Sequence, residues 1–403
     1  MMGRWDTHFF IMSGQLCRSL RQKGGSMRKQ LKIGLGMCSL AAIMVGVGLA
    51  GGLFLRNGGV HLKTNADELK STIVTPHLEQ EIVPGSSVLW CNTFQLAWNE
   101  LCDQTGGTVE MAAAPAMVSV LNKKTADRSD LDPDSYVAMA GLASDGIYDK
   151  IRKELDRKFK GQACPELLNS TPEMLGVAYA YLSKELPFQW AFTRFHGRFV
   201  FEGEQVDAFG IGQFLKIQKD EVRMASQVAV LDHRNNDDLI IELATQSKDD
   251  RLILAKVPPQ KSLGETIAMV ENRIAGAKPM PMHEAEDLVV PVLDFDVLKE
   301  YPELCNHPIV AAGKKFDGKS LASAKQSIRF RLDEKGAVLR SETVVAACMP
   351  ERMLVFNKPF LILLSRREAK HPYFALWVGN AELLYSSCKK PREKRTIHLP
   401  AIQ

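Results

Sequence analysis

Leu354-Val355-Phe356 and Phe360-Leu361-Ile362-Leu363-Leu364 are two apolar runs parted by Asn357-Lys358-Pro359. Proline cannot donate to a ladder and is confined to strand starts, edges and bulges. The stretch therefore reads as strand, break, strand, a pattern shared by many β-rich bodies. The chain has the material for such a body, with 403 residues of which 45% are apolar. That is enough for one large core or for two or three average ones. From Ser86 onward no Gly/Ser- or Pro-rich linker and no internal repeat interrupts it, so residues 86–388 read as one domain.

Several elements can be placed along that domain. Phe94, Leu96, Ala97 and Leu101 predict a helix over Asn92–Leu101. Phe188, Trp190 and Phe192 alternate with Gln189 and Ala191, which predicts a strand with an aromatic face in the core rather than a ligand-stacking surface. Leu239–Leu243 and Leu252–Val257 are short β-rich runs separated by Ser247-Lys248-Asp249-Asp250. Ser262-x-x-Glu265 is a capping box that opens a helix running to about Asn272. Leu288–Phe295 is expected as a strand containing Pro291, and Val297–Leu304 as a short helix.

Charge is unevenly placed. Residues 1–32 carry seven Lys/Arg against Asp6, and residues 389–395 carry five against Glu393. These two ends hold +6 and +4 of a net +4, which leaves about −6 on residues 33–388. A mildly acidic body is not built to follow a nucleic-acid backbone, which needs clustered positive charge. Ile33–Leu55 is 23 residues without a charge. As a helix at ~1.5 Å per residue it would cross a ~30 Å hydrocarbon layer. Basic residues crowd its N-terminal side, so residues 1–32 are expected in the cytoplasm and the body outside. A signal peptide starting at Met27 and cut near Ala50, giving a secreted body, is the competing reading. Residues 56–85 are polar, with Pro76 and Pro84, and are expected as a stalk. The basic tail 389–403 is expected to be disordered, and it could bind an anionic surface.

Cys91, Cys102, Cys164, Cys305, Cys348 and Cys388 follow the apolar run, with no Cys-x-x-Cys pair. Neither a zinc site nor a thioredoxin-like motif is indicated. A helix between Cys91 and Cys102 would hold them about 16 Å apart, beyond disulfide reach, so most of the six are expected as buried thiols. Asp127–Asp134 contains four aspartates. A calcium loop starting at Asp130 would need Gly and Glu where Ser135 and Gly141 stand, so a solvated acidic loop is expected. No metal or cofactor is implied.

Leu354–Leu364, with its Asn-Lys-Pro-Phe core, resembles the C-terminal signature of the serpins. Upstream, Ile328–Gly336 resembles the strand and hinge from which the serpin reactive loop leaves the main sheet. Val177–Tyr181 followed by Leu186-Pro187-Phe188 resembles the long central strand of that sheet, and Ala114-Pro115-Ala116-Met117 falls where the family begins a central helix. The resemblance runs from about Asn92 to Leu384 and implies an α+β serpin-like fold preceded by the N-terminal transmembrane or signal helix. Only 61 residues lie between Pro115 and Val177, about half of the family's usual interval, so the main β-sheet is expected to be abbreviated.

The resemblance also implies where function would sit. A serpin has no catalytic machinery of its own. A protease cleaves its loop and is trapped as an acyl-enzyme while the loop inserts as a new strand. The hinge positions here are Glu334, Gly336, Ala337, Leu339, Ser341 and Thr343. On insertion Ala337, Leu339, Ser341 and Thr343 would point inward. Ala, Ser and Thr suit a tightly packed interior, whereas Leu339 would overpack it by roughly 1–3 kcal/mol. The reactive bond falls within Cys348, Met349, Pro350, Glu351 and Arg352. The expectation is a non-inhibitory serpin-fold protein that binds a partner. The alternative is a suicide-substrate inhibitor of serine or cysteine proteases through residues 336–356. No phosphate loop, Gly-x-Ser-x-Gly elbow or His-Glu-x-x-His is present. An enzyme of another class would have to draw on His196, His233 or His283.

Overall fold

The computed structural model describes residues 63–159, 175–212, 219–283, 286–335 and 352–388. In chain order the elements are β1 (Thr64–Asn65), β2 (Thr72–Thr75), β3 (Ser87–Cys91), α1 (Thr93–Thr105), β4 (Glu110–Met111), α2 (Ala116–Leu121), β5 (Tyr136–Leu142) and α3 (Ile147–Phe159). Next come β6 (Gly176–Glu185), β7 (Thr193–Phe201), β8 (Glu204–Ile211), α4 (Lys219–Ala225), β9 (Val228–Asn235), β10 (Asp238–Leu243), β11 (Asp250–Lys256) and α5 (Leu263–Ile274). The series closes with β12 (Met280–Pro281), β13 (Asp287–Pro291), β14 (Leu293–Glu300), β15 (Ile309–Val310), β16 (Leu321–Leu332), β17 (Met353–Val355), β18 (Phe360–Arg366) and β19 (Pro372–Val378).

The described strands form three larger sheets and a two-stranded pair, β4 with β15. A main sheet has the order β1-β14-β16-β6-β5, an eight-stranded sheet runs β12-β9-β10-β11-β18-β19-β3-β2, and a third runs β17-β13-β8-β7. The Leu354–Leu364 motif explains why the second is a two-faced core. Side chains alternate across a strand. Phe360, Ile362 and Leu364 therefore enter the central core, while Leu361 and Leu363 enter a second cluster beneath α5 with Leu263, Ile267 and Val270. Pro359 stands just outside the first rung of β18, where its missing N–H costs nothing.

The main sheet has five strands among the described residues. Its β5 edge is terminal, and that edge's carbonyls are taken by side chains: Lys158 Nζ donates to Tyr136 O (2.7 Å) and Gln104 Nε2 to Ala140 O (2.9 Å). Satisfying edge groups in this way blunts the template an open strand would offer. A helix remains across the outer face. Ile147, Ile151, Leu155 and Phe159, at helical spacing on α3, pack on Val137, Val177, Tyr179 and Tyr181.

Five expectations change. Residues 63–84 are not a free stalk: β1 pairs with β14, β2 pairs with β3, and Ile82 is buried. Phe188–Phe192 is not a strand. Phe188 and Phe192 stack edge-to-face in the core, but Trp190 is exposed, because the backbone here is tied to other segments rather than to a ladder. Leu288–Phe295 is two strands in different sheets, and Val297–Glu300 continues β14 instead of forming a helix. Its pairing with Ile328–Lys325 overrides local propensity, leaving one 3-10 turn at Pro302–Leu304. The acidic loop is not wholly solvated: Asp130 is buried, accepting from Asp127 N and facing His371. Of the four described cysteines, Cys91 and Cys102 are buried free thiols, Cys305 is half-buried and Cys388 is exposed.

Other readings hold. The helix expected over Asn92–Leu101 is α1, α2 begins after Pro115, and Leu239–Leu243 and Leu252–Val257 pair as β10 and β11. Ser262 Oγ accepts from Glu265 N to open α5. The apolar run 33–55 and the basic tail 389–403 lie outside the described residues. Among the described residues no helix is long and apolar enough to cross a membrane.

Candidate functional site at the roots of the loop

Of the expected hinge residues, Glu334 is described, while Gly336, Ala337, Leu339, Ser341 and Thr343 lie outside the described residues, as do Cys348, Met349, Pro350 and Glu351. What can be examined are the two roots from which the loop departs. At the incoming root, β16 runs parallel to β6 from Leu321↔Gly176 to Arg331↔Glu185. The main sheet is thus closed along the whole length of these strands. Just past β16, Phe192 N donates to Glu334 O and Phe188 N to Lys335 O, both at 3.2 Å. The aromatic segment of the sequence serves as a backbone cradle for the hinge.

The Glu334 carboxylate pairs with Arg194 on β7. Arg194 also donates through Nη2 (3.0 Å) and Nε (3.3 Å) to Asp207 Oδ2 on β8. Asp207 is fully buried, and its Oδ1 accepts from Gly197 N (3.0 Å), Ser387 N (3.0 Å) and Ser387 Oγ (2.8 Å). Burial alone would raise this carboxyl's pKa. The hydrogen bonds from Ser387 and then Arg194 outweigh it and hold the group at about 2. His196 Nδ1 lies 3.2 Å from the same carboxylate. Ser387 Oγ donates to Asp207 and not to an imidazole, so Asp207, His196 and Ser387 do not form an activated nucleophile. His233 and His283 belong to β9 and to the turn after β12, and no cluster of three or more His, Cys, Asp or Glu fit to hold a metal occurs among the described residues.

Trp190, 38% exposed, stands beside this root. Gln227 clamps its backbone, accepting from Trp190 N and donating to Trp190 O, both at 2.8 Å. Arg223 Cζ lies 4.8 Å from the indole centroid.

The outgoing root is anchored too. Arg352 pairs with the buried Glu286, and Met353 N donates to Asn236 Oδ1 (3.1 Å). Strand β17 then pairs in parallel with β13. Lys256 Nζ donates to Val355 O (2.6 Å), and Phe356 is fully buried beside Phe360. Of the reactive-bond candidates, Arg352 is the described one, and its guanidinium is committed to Glu286.

Sequence reading missed Arg194, Asp207, Ser387 and Gln326. Gln326 is fully buried in the middle of β16. Its Oε1 accepts from Tyr301 Oη (2.8 Å), and its Nε2 donates to Cys91 O (3.0 Å) and Thr93 Oγ1 (3.1 Å). The signal for it was the one amide in a strand of apolar, charged and serine residues. For Asp207 and Ser387, 180 residues apart, nothing local marked the pairing.

No protein-family model matches the chain. No curated protein does either. Solved structures similar to it include Serpin48 of the insect Tenebrio molitor (10% identity, TM-score 0.42, covering 73% of this chain and 92% of that one). Human thyroxine-binding globulin is similar at 11% identity and TM-score 0.46, over 74% of this chain and 93% of that one. A serpin from Schistosoma mansoni is similar at 10% identity and TM-score 0.44, over 73% and 95%. At these values the likeness is one of outline, and no residue's role passes through it. The motifs at 328–336 and 354–364, together with the mixed sheets, make the α+β fold of this chain serpin-like.

Proposed function

We propose that this chain is a non-inhibitory serpin-fold protein that works by binding a partner, with its body outside the cytoplasm. The observation that carries this reading is the tethered hinge. Insertion would have to part ten registered positions of β6 and β16 and withdraw Glu334 from Arg194, while Leu339 would meet a packed interior. Ala337, Ser341 and Thr343 are small enough for insertion, which is what supports the protease-trapping alternative.

One experiment separates the two. The body is incubated with trypsin-, chymotrypsin-, subtilisin- and papain-like proteases, then examined on a denaturing gel and by thermal melting. The binding reading expects a nick between Ala346 and Arg352, no covalent complex and little change in melting temperature. A covalent band, or a melt raised by tens of degrees, would make the protein an inhibitor. The location rests on the charge asymmetry about residues 33–55. N-terminal sequencing of the mature protein tests it, and a terminus at Gly51 would replace the anchor with a cleaved signal.

A further inference from the structure

The last described residues of the chain and the root of its loop meet at one buried carboxylate. We propose that the segment Tyr385–Cys388 is a brace that sets how firmly the incoming root of the loop is held, with Asp207 and Arg194 as the relay. This goes beyond the binding reading, because it concerns how the root is held whichever partner engages the loop.

A lone arginine on an exposed stem is a poor anchor, since fixing a long side chain costs conformational entropy. Arg194 is fixed in advance. Two of its nitrogens bond Asp207 Oδ2, and its Cζ lies 5.1 Å from the centroid of the Tyr385 ring. Asp207 is fixed in turn by Ser387, which supplies two of the three donors to Oδ1. The backbone binds the same parts together. Asp207 N donates to Tyr385 O (2.9 Å), Tyr385 N to Val292 O (2.8 Å) and Val292 N to Asp207 O (2.9 Å). The segment is thus laid against β8 and the β13–β14 junction. Freed of Ser387 and Tyr385, Asp207 would lose its orientation and Arg194 both its stacking partner and its fixed acceptor. Glu334 would then be held by a side chain that is itself unanchored.

The root reports its own state. The Phe188 and Phe192 amides are protected by Lys335 O and Glu334 O, so their hydrogen exchange reads the anchoring directly. The test compares the full chain with Ser387→Ala, with a chain ending at Leu384 and with a chain ending at Cys388, by hydrogen exchange resolved at these amides and at Leu254 in β11. Exchange at Phe188 and Phe192 should rise about threefold in Ser387→Ala and about tenfold or more in the chain ending at Leu384. It should not change in the chain ending at Cys388, and Leu254 should stay at the wild-type rate throughout. Unchanged exchange at Phe188 and Phe192 in Ser387→Ala overturns the proposal, as does an equal rise at Leu254, which would mean general loosening. Ser387→Ala keeps the backbone donor at that position, so the decision does not depend on the truncated chain folding.

Discussion

Gln326 stands on the strand that would have to leave β6 for any loop to enter the sheet, and it is the sharpest place to test the packing described above. Replacing it with methionine keeps nearly the same length and volume while removing all three hydrogen bonds. Each is worth about 1 kcal/mol net, and a buried hydroxyl left without a partner costs about 1–3 kcal/mol. Tyr301 is almost completely buried and its hydroxyl donates to Gln326, so it is the group most exposed to that penalty. Its phenol is also held well above its ordinary pKa by burial and cannot escape by ionising. Gln326→Met should therefore cost about 3–4 kcal/mol, a large part of the ~5–15 kcal/mol that holds a typical protein folded.

Tyr301→Phe alone should cost about 1–2 kcal/mol, by leaving one amide oxygen unpaired. The double variant should cost about 1–2 kcal/mol less than the sum, because the two changes remove both ends of one bond. Urea unfolding of the four proteins, compared at a common slope, gives the coupling. A cost below about 1 kcal/mol for Gln326→Met would refute the argument that the bonds of this buried amide hold β16 in place, and additivity within about 0.3 kcal/mol would refute its coupling to Tyr301.

Two further outcomes follow from single sites. Asp207 is depressed to about 2 in the folded protein, against about 3.9 when unfolded. Its contribution is thus complete above about pH 4 and is lost as pH falls through about 2, so the stability difference between wild type and Asp207→Asn should shrink by about 2 kcal/mol between pH 6 and pH 2; a constant difference in urea unfolding across that range would contradict it. A Cβ on Gly379 would lie 2.0 Å from Ser86 O, a backbone atom that cannot turn away, so Gly379→Ala should cost about 3 kcal/mol or more through overpacking, and a melting temperature within a degree of wild type would show that β19 and the 85–87 turn can shift.

Much of the fold was legible where the chemistry is local. The apolar run at Phe360–Leu364 gave its strand because both faces of that strand are buried. Ser262 gave its helix start because a cap is a short-range bond. Expectation failed where long-range pairing decides. Val297–Glu300 has no local reason to be extended until Lys325–Ile328 lies beside it. Thr72–Thr75 looks like polar stalk until Ser87–Trp90 offers a parallel partner. Trp190 fits an alternating aromatic stripe, yet its backbone groups are both taken by Gln227, which turns the indole outward.

The candidate site divides along the same line. Glu334 could be named because Ile328–Gly336 resembles the strand and hinge of the serpins. What holds it could not be named, since Arg194, Asp207 and Ser387 come from three separate stretches and converge only in the fold. That convergence matters for function. A loop rooted in a buried, charge-compensated network at one end and in the Arg352–Glu286 pair at the other is held at two fixed points. On the binding reading proposed above, fixed roots lower the ordering cost that falls at the moment of binding. Trapping asks the opposite, that the root give way faster than an acyl-enzyme hydrolyses. The network around Asp207 resists that release with every bond it makes.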